Sequence, residues 1–140
     1  MKYISGTSAL NIPCELNTTG DWHRSCINWE KVKLWDSSES IFGEYGIECD
    51  KYIPELDAKR NVANHIRACL DLIEKGNFPG AQGMYQDYLD GDDNFNNEIF
   101  KKVFLLKEKE NWNDIYNFMC KEYRTKWLNF IEGETKEYKI

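Results

Sequence analysis

"DAKRNVANHIRACLDLIEKG", residues 57–76, decides how the chain divides into elements. Val62, Ile66, Cys69, Leu70 and Ile73 recur three and four residues apart, the period of one helix face, and Gly76 stands where a helix stops. The spacing predicts an amphipathic helix from Asp57 to Lys75. His65 and Arg67 flank the apolar Ile66, which turns them away from the centre of the buried stripe. With Asn61 and Asn64 they make a polar face, read either as a solvated face or as a contact with a partner or with the Asp21–His23 loop.

Downstream, "GNFPGAQG", residues 76–83, is a turn leading into a short helix through Met84, Tyr85, Tyr88 and Leu89. "DGDDN", residues 90–94, is a loop in which Asp93 or Asn94 caps a helix carrying Phe95, Ile99, Phe100, Val103, Phe104 and Leu106. From Asn111 a last helix sets Trp112, Ile115, Phe118, Met119, Trp127, Leu128 and Ile131 on one side, and a polar tail over residues 134–140 is expected to fray.

Upstream the elements are shorter. Lys31–Trp35 alternates like a half-buried strand, residues 36–40 make a turn, and Ile41–Ile47 reads as a second strand, with Tyr3 and Ile4 as a short edge strand. The expectation is a single compact α+β domain over residues 1–140. In it a small N-terminal β-hairpin or sheet, with loops and a short helix over residues 1–56, packs on a mainly helical part, 57–133.

A chain of 140 residues, 41% hydrophobic and 14% aromatic, can bury its own core. The formal charge of −6 is spread evenly, seven basic against ten acidic residues in 1–60 and eleven against fourteen in 61–140. Without a concentration of Lys and Arg, direct binding to nucleic acid is disfavoured. An acidic exterior suits a protein partner with a basic surface instead. No apolar run reaches the length that crosses a bilayer, and the first residues lack the apolar core of a secretory signal. A cytoplasmic protein with no membrane contact is expected, and its five cysteines, odd in number and widely spread, are expected to be free thiols.

"CELNTTGDWHRSC", residues 14–26, admits three readings. Trp22, Cys26 and Trp29 fall on one helix face, with Thr19 or Asp21 as cap, which would place both rings and the thiol in the core. In the catalytic reading, Cys14 near the start of that helix is a nucleophile, His23 its base and Asp21 the group that orients the base. In the metal reading, Cys14, His23, Cys26 and Cys49 supply four donors; only His23 and Cys26 have a ligand-like spacing, so no metal is expected, and no motif implies a cofactor. Asp90, Asp92, Asp93 and Glu98 lack the glycine and spacing of a calcium loop. "SGTSALN", residues 5–11, lacks the lysine of a phosphate cradle and reads as a turn.

The segments "YISGTSALNIPC", "TGDWH", "FGEYGIE" and "NVANHIRACLDLIEKGNFPGAQGM", followed by the tryptophan-rich last helix, resemble a small, poorly characterised bacterial protein family of similar length. The resemblance spans nearly the whole chain. It implies a setting in bacterial or mobile-element genomes, where such small proteins are frequently antitoxin-like or inhibitory components of conflict systems, and it implies no catalytic assignment.

The expectation for function is therefore a small acidic protein-binding module that neutralises or regulates a partner, in a toxin-antitoxin or phage-defence setting. Trp35, Phe42 and Tyr45 on the predicted hairpin are the candidate aromatic contacts, with Asp90, Asp92 and Asp93 as an electrostatic guide. A related expectation is a phage-encoded inhibitor of a nuclease, such as an anti-CRISPR protein, using the same acidic surface. The rival from another class is an enzyme dependent on Cys14 and His23.

Overall fold

In the computed structural model, which describes residues 1–137 and their side chains up to residue 135, four strands form one mixed sheet beside a mainly helical C-terminal half, an α+β fold. The strands are β1 (Lys2–Ile4), β2 (Leu34–Asp36), β3 (Ile47–Ile53) and β4 (Ala58–Ala63), and they lie in the order β2-β1-β4-β3. β1 runs antiparallel to β2 and parallel to β4, where Ile4 is opposite Val62, so Tyr3 and Ile4 belong to a central strand rather than the expected edge.

The helix expected over residues 57–75 is two elements. Residues 58–63 are β4, paired with β3 in a hairpin, and α2 (His65–Glu74) begins only after Asn64. The break has local causes. Asp57 closes the hairpin in the left-handed region at φ 45°, and Asn64 is extended, its side chain accepting the Arg67 N–H as a cap. A cap of this kind satisfies one of the donors that every helix start leaves open.

All ten residues of α2 are buried. The helix packs against β4, α1 (Gly6–Ala9), α3 (Phe78–Ala81) and α4 (Asn96–Phe104), so it is the axis of the molecule, and its polar residues need partners inside. They have them. Arg67 donates from Nε to Asp71 Oδ1 at 2.8 Å, from Nη1 to the carbonyls of Gly43 and Tyr45 at 2.7 and 2.6 Å, and from Nη2 to the Tyr3 hydroxyl at 2.9 Å. Asp71 Oδ2 accepts from the Tyr3 and Ser5 hydroxyls, both at 2.6 Å. Glu74 accepts from Ser40 Oγ and the Ile41 N–H. Arg67, which the sequence places on a polar face either solvated or in contact with a partner or a loop, is buried and, with Asp71 and Glu74, ties β1 and the segment 40–45 to the central helix.

Beyond α2 the chain turns through Asn77, whose side chain caps α3, and a π-helical turn, Met84–Tyr88. Asp92, one residue before the expected caps Asp93 and Asn94, accepts the Asn94 N–H ahead of α4. The last helix is also divided, into α5 (Trp112–Tyr123) and α6 (Thr125–Glu137), by Arg124 at φ 55°. Trp127 is fully buried among Phe100, Tyr116, Phe130 and Trp112, at ring separations of 5.4 to 6.2 Å, while Leu128 is exposed. α6 runs through residues 134–137, where a frayed tail is expected; residues 138–140 lie outside the described part.

In the N-terminal half, β2 is confined to Leu34–Asp36, residues 41–46 are turns, and the strand that follows is Ile47–Ile53. The predicted hairpin between 31–35 and 41–47 is thus replaced by β1-β2 and β3-β4 pairing. Gly43 and Gly46 both have positive φ, which favours turns over an extended run.

Candidate functional site

The chemistry-bearing side chains gather around the opening segment, residues 10–23, where it crosses the N-terminus of α2. No helix forms over residues 22–29. Asp21 accepts the N–H of its own neighbour Trp22 and pairs with His23 Nδ1, so it is not free to cap, and two 3₁₀ turns, Arg24–Cys26 and Trp29–Lys31, take the helix's place. Trp29 is buried as expected, whereas Cys26 is exposed and Trp22 is 80% exposed. Arg24 spans this region. It forms a two-pronged pair with Glu55, donates to the Asn11 carbonyl and lies 5.3 Å from the Trp29 ring centre.

Cys14 and His23 do not form a pair. His23 is held by Asp21 and by its backbone N–H, which donates to Asn11 Oδ1 at 2.7 Å. Cys14 is buried, and its sulfur faces Thr18 Oγ1 at 3.7 Å. The imidazole on this cluster is that of His65, whose Nδ1 is 2.7 Å from Thr18 Oγ1 and whose Nε2 is 2.8 Å from the Ile12 carbonyl oxygen. A carbonyl can only accept, so Nε2 carries a hydrogen and, in the neutral ring, Nδ1 accepts from the threonine.

Burial works against the Cys14 thiolate, but the neighbouring His65 at the start of α2 outweighs it, bringing the thiol down to about 7. Burial likewise opposes an imidazolium at His65. Cys14, the Ile12 carbonyl and Glu48 outweigh that too, so the ring holds a proton more readily than a free imidazole. Gly20 allows the approach: at φ 69°, a Cβ there would lie 2.2 Å from the Leu10 carbonyl and 2.7 Å from the His65 ring.

On the outer side of the same segment lies an open cleft of about 520 Å³, walled by Gly20–His23 on one side and Gln86–Tyr88 with Asp90 on the other. Trp22 projects at its rim beside three carboxylates, those of Asp21, Asp87 and Asp90. Asp90 also accepts the Thr19 N–H, at 3.1 Å to its nearer oxygen, which joins the acidic loop to the opening segment. The other carboxylates of that loop have intramolecular duties. Asp92 caps the turn before α4, and Asp93 accepts from the Tyr85 hydroxyl at 2.5 Å and pairs with Lys126 at 2.7 Å.

The aromatic residues expected as surface contacts lie elsewhere. Phe42 is a core residue, 5% exposed, under the Arg67 guanidinium, so it is corrected from contact to core. Trp35 and Tyr45 are half-buried, with Lys33 and Lys102 over their rings at 5.0 and 4.2 Å. Each of these rings already has a cation over one face.

Thr18, His65 and Trp22 are not among the site residues expected from sequence, which puts Trp22 in the core and His65 on a polar face read as solvated or as a contact with a partner or with the Asp21–His23 loop. Asn64 was the available signal for His65: taken as a helix cap, it ends the preceding strand and puts His65 on the first helical turn. Among the described residues no three His, Cys, Asp or Glu side chains converge as metal ligands would, and no helix is long and apolar enough to cross a membrane. Compared with protein-family models, with curated proteins and with solved structures, the chain matches none.

Proposed function

We propose that the protein is an acidic protein-binding module that neutralises or regulates a partner through the cleft beside Trp22, in the manner of an antitoxin or an inhibitor. The observation that carries this reading is the exposure of Trp22 on a rim that also holds Asp21, Asp87 and Asp90. An indole left in water contributes little to its own fold, while tryptophan is among the commonest anchors of protein interfaces. Carboxylates around such an anchor favour a Lys or Arg side chain over the ring, where charge attraction and the ring's negative face act together. The net charge of −6 guides such a partner from a distance.

The test compares captured proteins rather than the fact of capture. Wild-type protein and the Trp22→Ala and Asp87→Lys variants are immobilised and exposed to extract of the native host, and bound proteins are identified by mass spectrometry. The expected result is a basic protein held by the wild type, released as salt rises and lost from both variants. A capture profile shared by all three proteins would overturn the reading.

A further inference from the structure

We propose that Cys14 is a modification site at which the protein undergoes exchange with a small disulfide, the thiol proton passing through the Thr18 hydroxyl to Nδ1 of His65. This goes beyond the binding reading and does not depend on it. Three groups have the geometry of a proton path. Sγ of Cys14 lies 3.7 Å from Thr18 Oγ1, which lies 2.7 Å from His65 Nδ1, and the far nitrogen of the ring is anchored on the Ile12 carbonyl. As the sulfur gives its proton to the threonine oxygen, the threonine gives its own to Nδ1. The hydroxyl, formerly a donor to the ring, then donates to the thiolate.

The surroundings hold that charge separation. Cys14 reaches the first residue of the ten-residue helix α2 through Thr18, and the positive end of that helix favours a thiolate there. The other charged groups near the cluster come from β3. Glu48 accepts the Glu15 N–H and favours the imidazolium, and Lys51, paired with Glu48, donates to the Pro13 carbonyl, so the segment carrying Cys14 is strapped on both sides of the sulfur. Cys14 is 8% exposed, yet its neighbours Pro13 and Glu15 are exposed, which places the thiol directly beneath the surface. Among the described residues Cys69, in contrast, has no such partners. It is wholly buried, and burial pushes its thiol far up.

The reaction balances without a further reagent once the disulfide is named. With glutathione disulfide, the Cys14 thiolate attacks one sulfur, a bond forms between Cys14 and that glutathione half, and the original sulfur–sulfur bond breaks. The second half leaves as a thiolate and takes the proton from His65. Cys14 is oxidised and the departing glutathione is reduced.

The experiment treats the reduced, folded protein with glutathione disulfide over the range from about pH 5 to about pH 9, which brackets an ordinary thiol's titration. Modification of each cysteine is followed by peptide mass spectrometry, and the fold is checked by circular dichroism. The expected result is a Cys14 rate profile with its midpoint near 7. Thr18→Val should raise that midpoint by at least about one pH unit toward the free-thiol value near 8.5, while Thr18→Ser, which keeps the hydroxyl, should not. Should Thr18→Val not fold, the wild-type and Thr18→Ser profiles decide. The proposal is overturned if Cys14 stays unmodified in folded protein, if its midpoint lies near the free-thiol value, or if a folded Thr18→Val variant keeps the wild-type midpoint.

Discussion

Arg67 and Asp71 stand one turn apart on α2 with their charges 2.8 Å apart and exposures of 0% and 1%. The pair is not isolated. Tyr3 both accepts from Arg67 and donates to Asp71, so a side chain from the central strand closes the ring. Two carbonyls of the turn 43–45 take further guanidinium donors. Two buried charges are tolerated only because each polar atom used has a partner, and the strand, the turn and the helix become one cooperative unit.

Removing either charge alone strands the other in the core. Asp71→Ala should lower the unfolding free energy by about 3–5 kcal/mol, read as a shift in the urea midpoint. The double variant Arg67→Met with Asp71→Leu should cost clearly less than the sum of its single changes. Additive losses would mean that the two residues act independently.

The same residues show where sequence reasoning reaches and where it stops. The α+β class and most of the C-terminal apolar residues were legible from periodicity, because helix faces repeat whatever they pack against. The polar face of α2 was not. An i, i+4 arginine and aspartate look alike on a solvated helix and in a core, and only the position of Tyr3, 64 and 68 residues away in sequence, distinguishes the two. Residues 58–61, Ala-Lys-Arg-Asn, have little strand propensity, and they form β4 because β1 and β3 flank them. For the site, Cys14 was recognised and its imidazole was misassigned. Proximity along the chain favoured His23, whereas the fold brings in His65 over a separation of 47 residues from Thr18.

Gly20 offers a test of how tightly the opening segment is fitted to α2. Gly20→Ala adds the left-handed backbone cost of about 1–2 kcal/mol and an overlap with a carbonyl and a buried ring worth about 1–3 kcal/mol more. Gly91, with φ 64° and nothing within 4 Å of an added Cβ, isolates the first contribution. Gly91→Ala should therefore be the milder change in denaturant unfolding. Equal losses would show that the contact with His65 is loose.

Alkaline stability follows from the buried tyrosines. Burial, aided by nearby Cys69 and Glu122, pushes the Tyr123 hydroxyl far above its ordinary value, and burial with the Asp71 carboxylate does the same for Tyr3. Above about pH 10 the unfolded chain releases these protons while the native protein keeps them, so stability falls as pH rises past that point. Among the described residues the Tyr123 hydroxyl has no hydrogen-bond partner. Tyr123→Phe should leave stability at neutral pH unchanged or raised by about 1 kcal/mol, and should reduce the alkaline slope by up to about 1.4 kcal/mol per pH unit. A steeper alkaline slope in the variant would contradict this assignment.

Trp22 and Trp127 are opposite extremes, one 80% exposed and the other fully buried. Trp22→Phe should therefore change the unfolding free energy by no more than about 0.5 kcal/mol, the range of surface substitutions away from structural contacts. Its effect should appear in fluorescence. The variant loses the largest part of the red-shifted emission that iodide quenches, because the indole in water is gone, while Trp127 stays buried and Trp35 and Trp112 keep their partial exposure. The acidic rim adds a second signature: iodide is repelled by Asp21, Asp87 and Asp90, so quenching of Trp22 by a cationic quencher should exceed that by iodide at low salt, and the two should converge as salt screens the carboxylates. Equal quenching by both ions at low salt would show that these carboxylates do not set the potential at the ring, and the attraction of a basic side chain to this cleft would lose its physical basis.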